Sequence, residues 1–132
     1  MRYLVIFLFM LPVMSFAQTK ADYEHMMGKF VKFYNNGQPD SIVNMFPEQY
    51  REALQYMWNP KQLKLFIGDA GEIISCKYVR TDMVDTNKVG VFTTTFKTVG
   101  EKTTILTIEN GIYFGTLNLM AGKGDIDNMP KH

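Results

Sequence analysis

The sequence predicts an α+β domain in which N-terminal helices pack on an antiparallel sheet of about four strands. Between residues 22 and 70, apolar side chains recur every three or four positions, the period of a helix that buries one face. From residue 72 to 120 the period becomes two, the spacing of a half-buried strand. Because the helices come first and the strands follow as a meander, we expect the helices to cover the apolar face of the sheet.

Each predicted helix has its own boundary residues. Gly37 ends the first helix because glycine adopts the left-handed cap conformation without strain. Pro39 and Pro60 each fit the first turn of a helix, where no backbone N–H is needed. Asn59 supplies an N-cap side chain, and Gly71 is a stop signal. The four predicted helices cover residues 22–36, 39–46, 48–57 and 60–70.

The predicted strands alternate apolar and polar residues. In the first, Ile74, Cys76 and Tyr78 are expected to share the core face, where a buried cysteine acts as a small hydrophobe. Asn110-Gly111 is the strongest hairpin signal, because both turn positions require a positive φ. The four predicted strands cover residues 72–80, 88–98, 103–109 and 112–120.

The first seventeen residues predict a secretory signal peptide. Arg2 precedes an apolar run from Tyr3 to Met14, and Ser15-Phe16-Ala17 supplies the small residues of a cleavage site. The run is shorter than the roughly 20 residues of a membrane-spanning helix. Gln18 follows the expected cut, where a lipoprotein would need a cysteine. We therefore expect a periplasmic or secreted protein without a stable membrane anchor.

This division gives a signal peptide over residues 1–17, one domain over 18–120 and a loose C-terminal tail over 121–132. Cleavage of the signal peptide removes Arg2, after which basic and acidic residues are equal in number and the net charge is zero. A neutral domain gives no electrostatic reason to bind nucleic acid or an acidic membrane surface. Cys76 is the only cysteine, which excludes an intramolecular disulfide.

No motif of metal or cofactor chemistry is complete. Asp125 and Asp127, followed by Asn128, resemble the spacing of a calcium loop, but the required distal glutamate does not follow. No Ser-His-Asp, zinc or phosphate-loop spacing occurs. We expect neither a metal site nor a cofactor.

Aromatic side chains are the best binding signal, because ligand pockets are mostly apolar with a few polar groups. They could instead simply fill the core. The six that could line one cavity between helix and sheet are Tyr34, Tyr56, Trp58, Tyr78, Phe92 and Tyr113.

Three stretches give the chain a family resemblance. They are FVKFYNNGQPDSIVNMF, NPKQLKLFIGDAGEI and NGIYFGTLNL, and the likeness extends over about residues 21–120. In type and spacing they resemble the nuclear-transport-factor-2-like superfamily, a cone-shaped, cystatin-like α+β fold. More narrowly, they resemble secreted bacterial domains of unknown function, some of which precede an α/β-hydrolase domain. The resemblance implies a curved sheet around a helix, a cavity between them and frequent dimerisation through the sheet. It implies no hydrolase function.

Three hypotheses about function follow. The favoured one is a non-catalytic binding or accessory domain, expected as a homodimer, that holds a small apolar molecule or partner peptide. The second is an isomerase or dehydratase similar to ketosteroid isomerase, with His25 or Asp69 as base and Tyr78 or Tyr113 as donor.

The third hypothesis is an envelope interaction module whose exposed sheet face binds another chain. It would show itself by an outward apolar patch, for instance Val89, Val91 and Ile105 together.

Overall fold

The computed structural model describes residues 19–84 and 87–121, which form four helices and one antiparallel sheet. The predicted α+β class is confirmed. The helices are α1 (Lys20–Asn35), α2 (Pro39–Val43), α3 (Glu48–Leu54) and α4 (Pro60–Ala70). The strands are β1 (Ile73–Val84), β2 (Asn87–Phe96), β3 (Gly100–Glu109) and β4 (Tyr113–Ala121). The predicted signal peptide and residues 122–132 of the predicted tail lie outside the described residues, as do Asp125, Asp127 and Asn128.

Helix α1 begins two residues before its predicted start because Thr19 and Asp22 form a capping box. The Asp22 backbone N–H donates to the Thr19 hydroxyl oxygen at 3.3 Å, and the Thr19 backbone N–H donates to the Asp22 carboxylate at 2.9 Å. The reciprocal pair satisfies two backbone donors that a helix start leaves open. The apolar stripe of α1 then buries Tyr23, Phe30 and Tyr34 against the sheet.

The four strands follow one another in the order β1-β2-β3-β4, and each neighbouring pair is antiparallel. The turn between β3 and β4 contains Asn110 at φ 56° and Gly111 at φ 77°, the positive values predicted for this hairpin. Strand β1 continues four residues beyond its predicted end, and β3 begins three residues before its predicted start.

A β-bulge corrects the predicted face of Ile74. Ile73 pairs with Phe96 and Ser75 with Thr95, so Ile74 is an extra residue in β1. Its side chain is 66% exposed, whereas the neighbouring Ile73 is buried in the core. The prediction that Ile74 shares the core face with Cys76 and Tyr78 was therefore wrong, since strict alternation fails at a bulge.

The main core lies between the helices and one face of the sheet. Tyr34 packs edge-on against Phe66 of α4 and against Phe96 of β2, with ring centroids 5.9 and 6.1 Å apart. Gly90 lets the sheet approach α1 closely: a Cβ there would lie 2.6 Å from Cδ1 of Tyr23. The space between α1 and the sheet is therefore filled by aromatic rings.

The opposite face of the sheet carries a second, smaller apolar cluster. Val91 pairs with Ile105 across β2 and β3, and Val89 lies on the same face two residues earlier. These three side chains are at most 3% exposed, and Ala121 packs against them. The three residues named for the interaction hypothesis therefore lie together on one face of the sheet.

Candidate functional site

The structure does not bring the six predicted binding aromatics together in one cavity. Tyr34 and Phe92 are core residues, at most 1% exposed. The Tyr34 hydroxyl donates to the Gly71 carbonyl at 2.8 Å. Tyr78 is half-buried, and its ring packs edge-on against Phe92 and stacks on Tyr23. These rings fill the helix–sheet space rather than line an opening in it.

The other three predicted aromatics lie apart from one another. Tyr56 is 81% exposed and lines none of the larger hollows among the described residues. Tyr113 borders a hollow of about 420 Å³ together with Lys29, Ser41 and Asn44. Trp58 borders a separate cleft of about 350 Å³. Of the six predicted aromatic residues, only Trp58 borders an apolar cleft.

The two candidate catalytic bases, His25 and Asp69, are both exposed on helices. Neither lines the cleft or the hollow beside Tyr113. A general base must lie within hydrogen-bond reach of a substrate that the site holds out of water. The arrangement therefore gives no support to the isomerase or dehydratase hypothesis.

The cleft beside Trp58 lies between α4 and β4, at the rim of the sheet. Helix α4 starts sharply because the Asn59 side chain accepts a hydrogen bond from the Gln62 backbone N–H at 2.9 Å. This start holds Trp58 immediately before the helix, with its ring 5.7 Å from that of Phe30. The residues that line the cleft are Met57, Trp58, Gln62, Leu63, Phe66, Leu117, Asn118, Leu119 and Met120.

Among the residues that the structure describes, the lining consists of seven apolar residues and two amide residues, Gln62 and Asn118, and includes no charged one. Leu63 and Phe66 lie three positions apart on α4, so both face the same side of the helix. Asn118 pairs with Ile105 of β3, so its side chain lies on the face of the sheet opposite α4. Its Oδ1 accepts a hydrogen bond from the Met120 backbone N–H at 3.2 Å. Met57 is 64% exposed and Met120 is 37% exposed, so the cleft opens to water between two flexible thioethers.

Most of these lining residues were not predicted as site residues. The alternation of the last strand predicts ordinary core positions for Leu117 and Leu119. No sequence motif includes Gln62 or Asn118. One signal was available: Trp58 is a large apolar residue directly before the Asn59 cap, between the third and fourth predicted helices. In the structure this junction lies beside the edge strand β4.

Cys76 belongs to a chain of buried hydroxyl groups rather than to a reactive site. Its Sγ lies 3.2 Å from the Thr94 hydroxyl, which lies 2.7 Å from the Thr104 hydroxyl. Thr104 in turn donates to the Leu119 carbonyl at 3.0 Å. Burial raises the pKa of the Cys76 thiol, and the bond to Thr94 only partly opposes this. A raised thiol pKa leaves little of the nucleophilic thiolate near neutral pH.

Within residues 19–84 and 87–121, no three His, Cys, Asp or Glu side chains converge in a way that could hold a metal ion. None of the four described helices has both the length and the apolar character needed to cross a bilayer.

Comparison with known proteins supports the fold only. No protein-family model matches the chain, and no curated protein sequence matches it. Among solved structures, the chain is similar to a SEC-C motif containing protein from Rhodopseudomonas palustris, determined in solution. The TM-score is 0.53 at 13% sequence identity, over 83% of this chain and 88% of the other. At this identity the likeness shows a shared α+β architecture and carries no activity with it.

Proposed function

We propose that this chain is a secreted, non-catalytic binding domain that holds a small apolar molecule or an apolar peptide segment in the cleft between α4 and β4. The observation that carries the proposal is the apolar lining of this cleft, which has a volume of about 350 Å³. Ligand sites of proteins start at about 300 Å³ and combine an apolar wall with a few polar groups.

The exposed methionines at the cleft mouth add a second argument. Met57 and Met120 leave apolar surface in contact with water that an apolar ligand would cover. Covering apolar surface yields roughly 25 cal/mol per Å². Unbranched thioether side chains also adapt their shape to different occupants, and they are frequent at permissive binding surfaces.

The finer parts of the proposal are the cone-shaped superfamily, cleavage after Ala17 and a homodimer. The shared α+β architecture is compatible with the superfamily. The leader pattern of residues 1–17 supports export. Native mass spectrometry of protein recovered from a bacterial periplasm tests the cleavage site and the homodimer. We expect the mass of a chain that begins at Gln18, a dimer of that chain, and a small bound mass that is released on denaturation.

A fluorescence titration tests the cleft directly, because Trp58 is the only tryptophan of the chain and lines it. N-phenyl-1-naphthylamine, a neutral apolar dye, should quench Trp58 by energy transfer and gain emission of its own. We expect saturable binding at one site per chain. A chain that shows no saturable binding of the dye would refute the cleft as a ligand site.

A matched pair of variants distinguishes the cleft from other apolar surface. Met57→Lys places a charge at the cleft mouth and should weaken dye binding at least tenfold. Met83→Lys makes the same change at a side chain that is 57% exposed and lies outside the cleft, so its binding should match the wild type. Because both methionines are largely exposed, neither change should alter the unfolding midpoint. Equal weakening in the two variants would contradict the assignment.

A further inference from the structure

Two methionines stand at the mouth of the cleft, and their side chains are open to water. We infer that Met57 and Met120 form a reversible modification site: a peroxide oxidises their thioethers to sulfoxides, and the oxidised cleft no longer holds its apolar ligand. This inference rests on the proposed function, since it names a regulation of the same cleft. It follows from the exposure of the two side chains, their place in the fold and the chemistry of the thioether.

Exposure divides the described methionines into two groups. The core contains three methionines that are at most 5% exposed: Met26, Met27 and Met45. The other three, which are between 37% and 64% exposed, are Met57, Met83 and Met120. Oxidation requires contact between the oxidant and the sulfur, so a peroxide in water reaches the second group most readily.

The fold brings two of the three exposed methionines together, although they are far apart in the sequence. Met57 lies in the turn between α3 and α4, directly before Trp58, and Met120 lies near the end of β4. Both line the cleft. Met83 lies on β1, the other edge strand of the sheet, and does not line it. The chain thus carries its own control methionine.

A β-bulge places Met120 at the cleft. Leu119 and Met120 together oppose Thr104 of β3, so alternation is interrupted and both side chains line the same opening. With strict alternation Met120 would share the opposite face of the sheet with Asn118. The Asn118 Oδ1 accepts the Met120 backbone N–H at 3.2 Å and so stabilises this local conformation.

Oxidation makes the apolar mouth polar. The peroxide transfers one oxygen atom to the sulfur: its O–O bond breaks, an S–O bond forms, the sulfur is oxidised, and hydrogen peroxide is reduced to water. An apolar ligand lying over the sulfoxide oxygen would strip its water without offering a hydrogen bond in return. A dithiol-dependent methionine sulfoxide reductase reverses the step, since its thiols become a disulfide and the oxygen leaves as water. Because both side chains are exposed, the added oxygen meets water and the fold is retained.

Hydrogen peroxide treatment followed by titration with N-phenyl-1-naphthylamine tests the inference, with each protein compared with its own untreated form. We expect treatment to weaken dye binding by the wild type at least tenfold, and the two methionine sulfoxide reductases with dithiothreitol to restore it. The double variant Met57→Leu/Met120→Leu keeps Cys76 and Trp58, and its affinity for the dye should be the same before and after treatment. Met83→Leu, the matched control outside the cleft, should lose binding on treatment as the wild type does.

Peptide mass mapping gives a second readout, because a ligand that covers the mouth also shields it from the oxidant. Bound dye should slow the oxidation of Met57 and Met120 and leave the rate at Met83 unchanged. Equal rates with and without the dye at all three positions would overturn the inference.

The outcomes separate the two proposals. If the untreated protein does not bind the dye, the cleft is not a ligand site and both proposals fail. If the oxidised wild type binds the dye as well as the untreated protein does, the binding function stands and the modification site is refuted. If treatment weakens the double variant as much as the wild type, the loss comes from another residue and the assignment to Met57 and Met120 is wrong. If the reductases do not restore binding, the modification is not reversible and the inference fails.

Discussion

Replacing Gly90 by alanine tests why the space between α1 and the sheet is core rather than cavity. The added Cβ would lie 2.6, 2.8 and 3.0 Å from three ring carbons of Tyr23. Non-bonded carbons normally approach to about 3.5–4.0 Å, so the ring would have to move by roughly 1 Å. Tyr23 has no room to do so, because it is fully buried and its ring stacks on Tyr78 at a centroid distance of 6.4 Å.

The size of the effect follows from two opposing terms. Overpacking a well-filled core costs about 1–3 kcal/mol. Alanine in place of glycine inside a strand recovers about 0.5–1 kcal/mol, because the unfolded chain loses freedom. The close approach of three ring atoms places the cost toward the upper end, so we expect Gly90→Ala to lower the free energy of unfolding by about 2 kcal/mol. For a domain of this size, that lowers Tm by roughly 10 °C.

Urea unfolding followed by circular dichroism measures this change, and Gly28→Ala is the matched control. Gly28 lies on α1, the same helix as Tyr23, but a Cβ there would meet no atom within 4 Å. The control should therefore raise the free energy of unfolding by up to about 1 kcal/mol, the difference in helix propensity between glycine and alanine. The same substitution of alanine for glycine should thus change the free energy of unfolding in opposite directions at the two positions.

A double-mutant cycle tests whether the contact with the Tyr23 ring causes the destabilisation by Gly90→Ala. In a Tyr23→Leu background the ring is gone, so Gly90→Ala should cost little there even though Tyr23→Leu is itself destabilising. Two results would refute the reasoning: an unchanged unfolding midpoint for Gly90→Ala alone, or full additivity of the two changes. Either would mean that the ring of Tyr23 does not press on the backbone of β2.

The tyrosines of α1 give two further predictions. Tyr34→Phe removes a buried hydrogen bond to the Gly71 carbonyl and should lower the free energy of unfolding by about 1 kcal/mol. Tyr23→Phe should be neutral or stabilising, since the Tyr23 hydroxyl has no partner in the described part of the chain. Thermal unfolding measures both changes, and an equal loss of stability in the two variants would contradict this prediction. Burial raises the pKa of both tyrosines to about 12. Because the folded state disfavours ionisation, these hydroxyls leave the free energy of unfolding unchanged by pH below about 10, and between pH 10 and 12 that free energy falls by on the order of 2–3 kcal/mol for each tyrosine. Absorbance at 295 nm should show both ionising together with unfolding, and ionisation well before it would refute the assignment.

The order and type of the elements followed from the sequence because local signals agreed with the fold. The Asn59-Pro60 start of α4, its stop at Gly71 and the Asn110-Gly111 turn each rest on the backbone conformation of one or two residues. Such signals do not depend on distant contacts. The bulge at Ile74 does depend on them, because it arises where β1 adjusts its register to β2. Alternation in a single strand carries no information about that adjustment.

The location of the cleft could not be predicted from residue types. Tyr34, Phe92 and Trp58 are all large aromatics at apolar positions, yet only Trp58 meets an opening. What separates them is distance from the edge of the sheet. Tyr34 packs from α1 onto Phe96 of the inner strand β2, and Phe92 is part of that strand, whereas Trp58 lies beside the edge strand β4.

The cleft lies beside a core that α1 fills. Gly90 has no side chain to hold the helix away, so the ring of Tyr23 packs directly on the backbone of β2. Farther along α1, Phe30 packs on Trp58 and on Phe114 of β4, with ring centroids 5.7 and 6.3 Å apart. The apolar opening lies beyond these rings, between α4 and the bulged edge of β4. A ligand of this protein should consequently bind at the edge of the sheet, where Trp58 can report it.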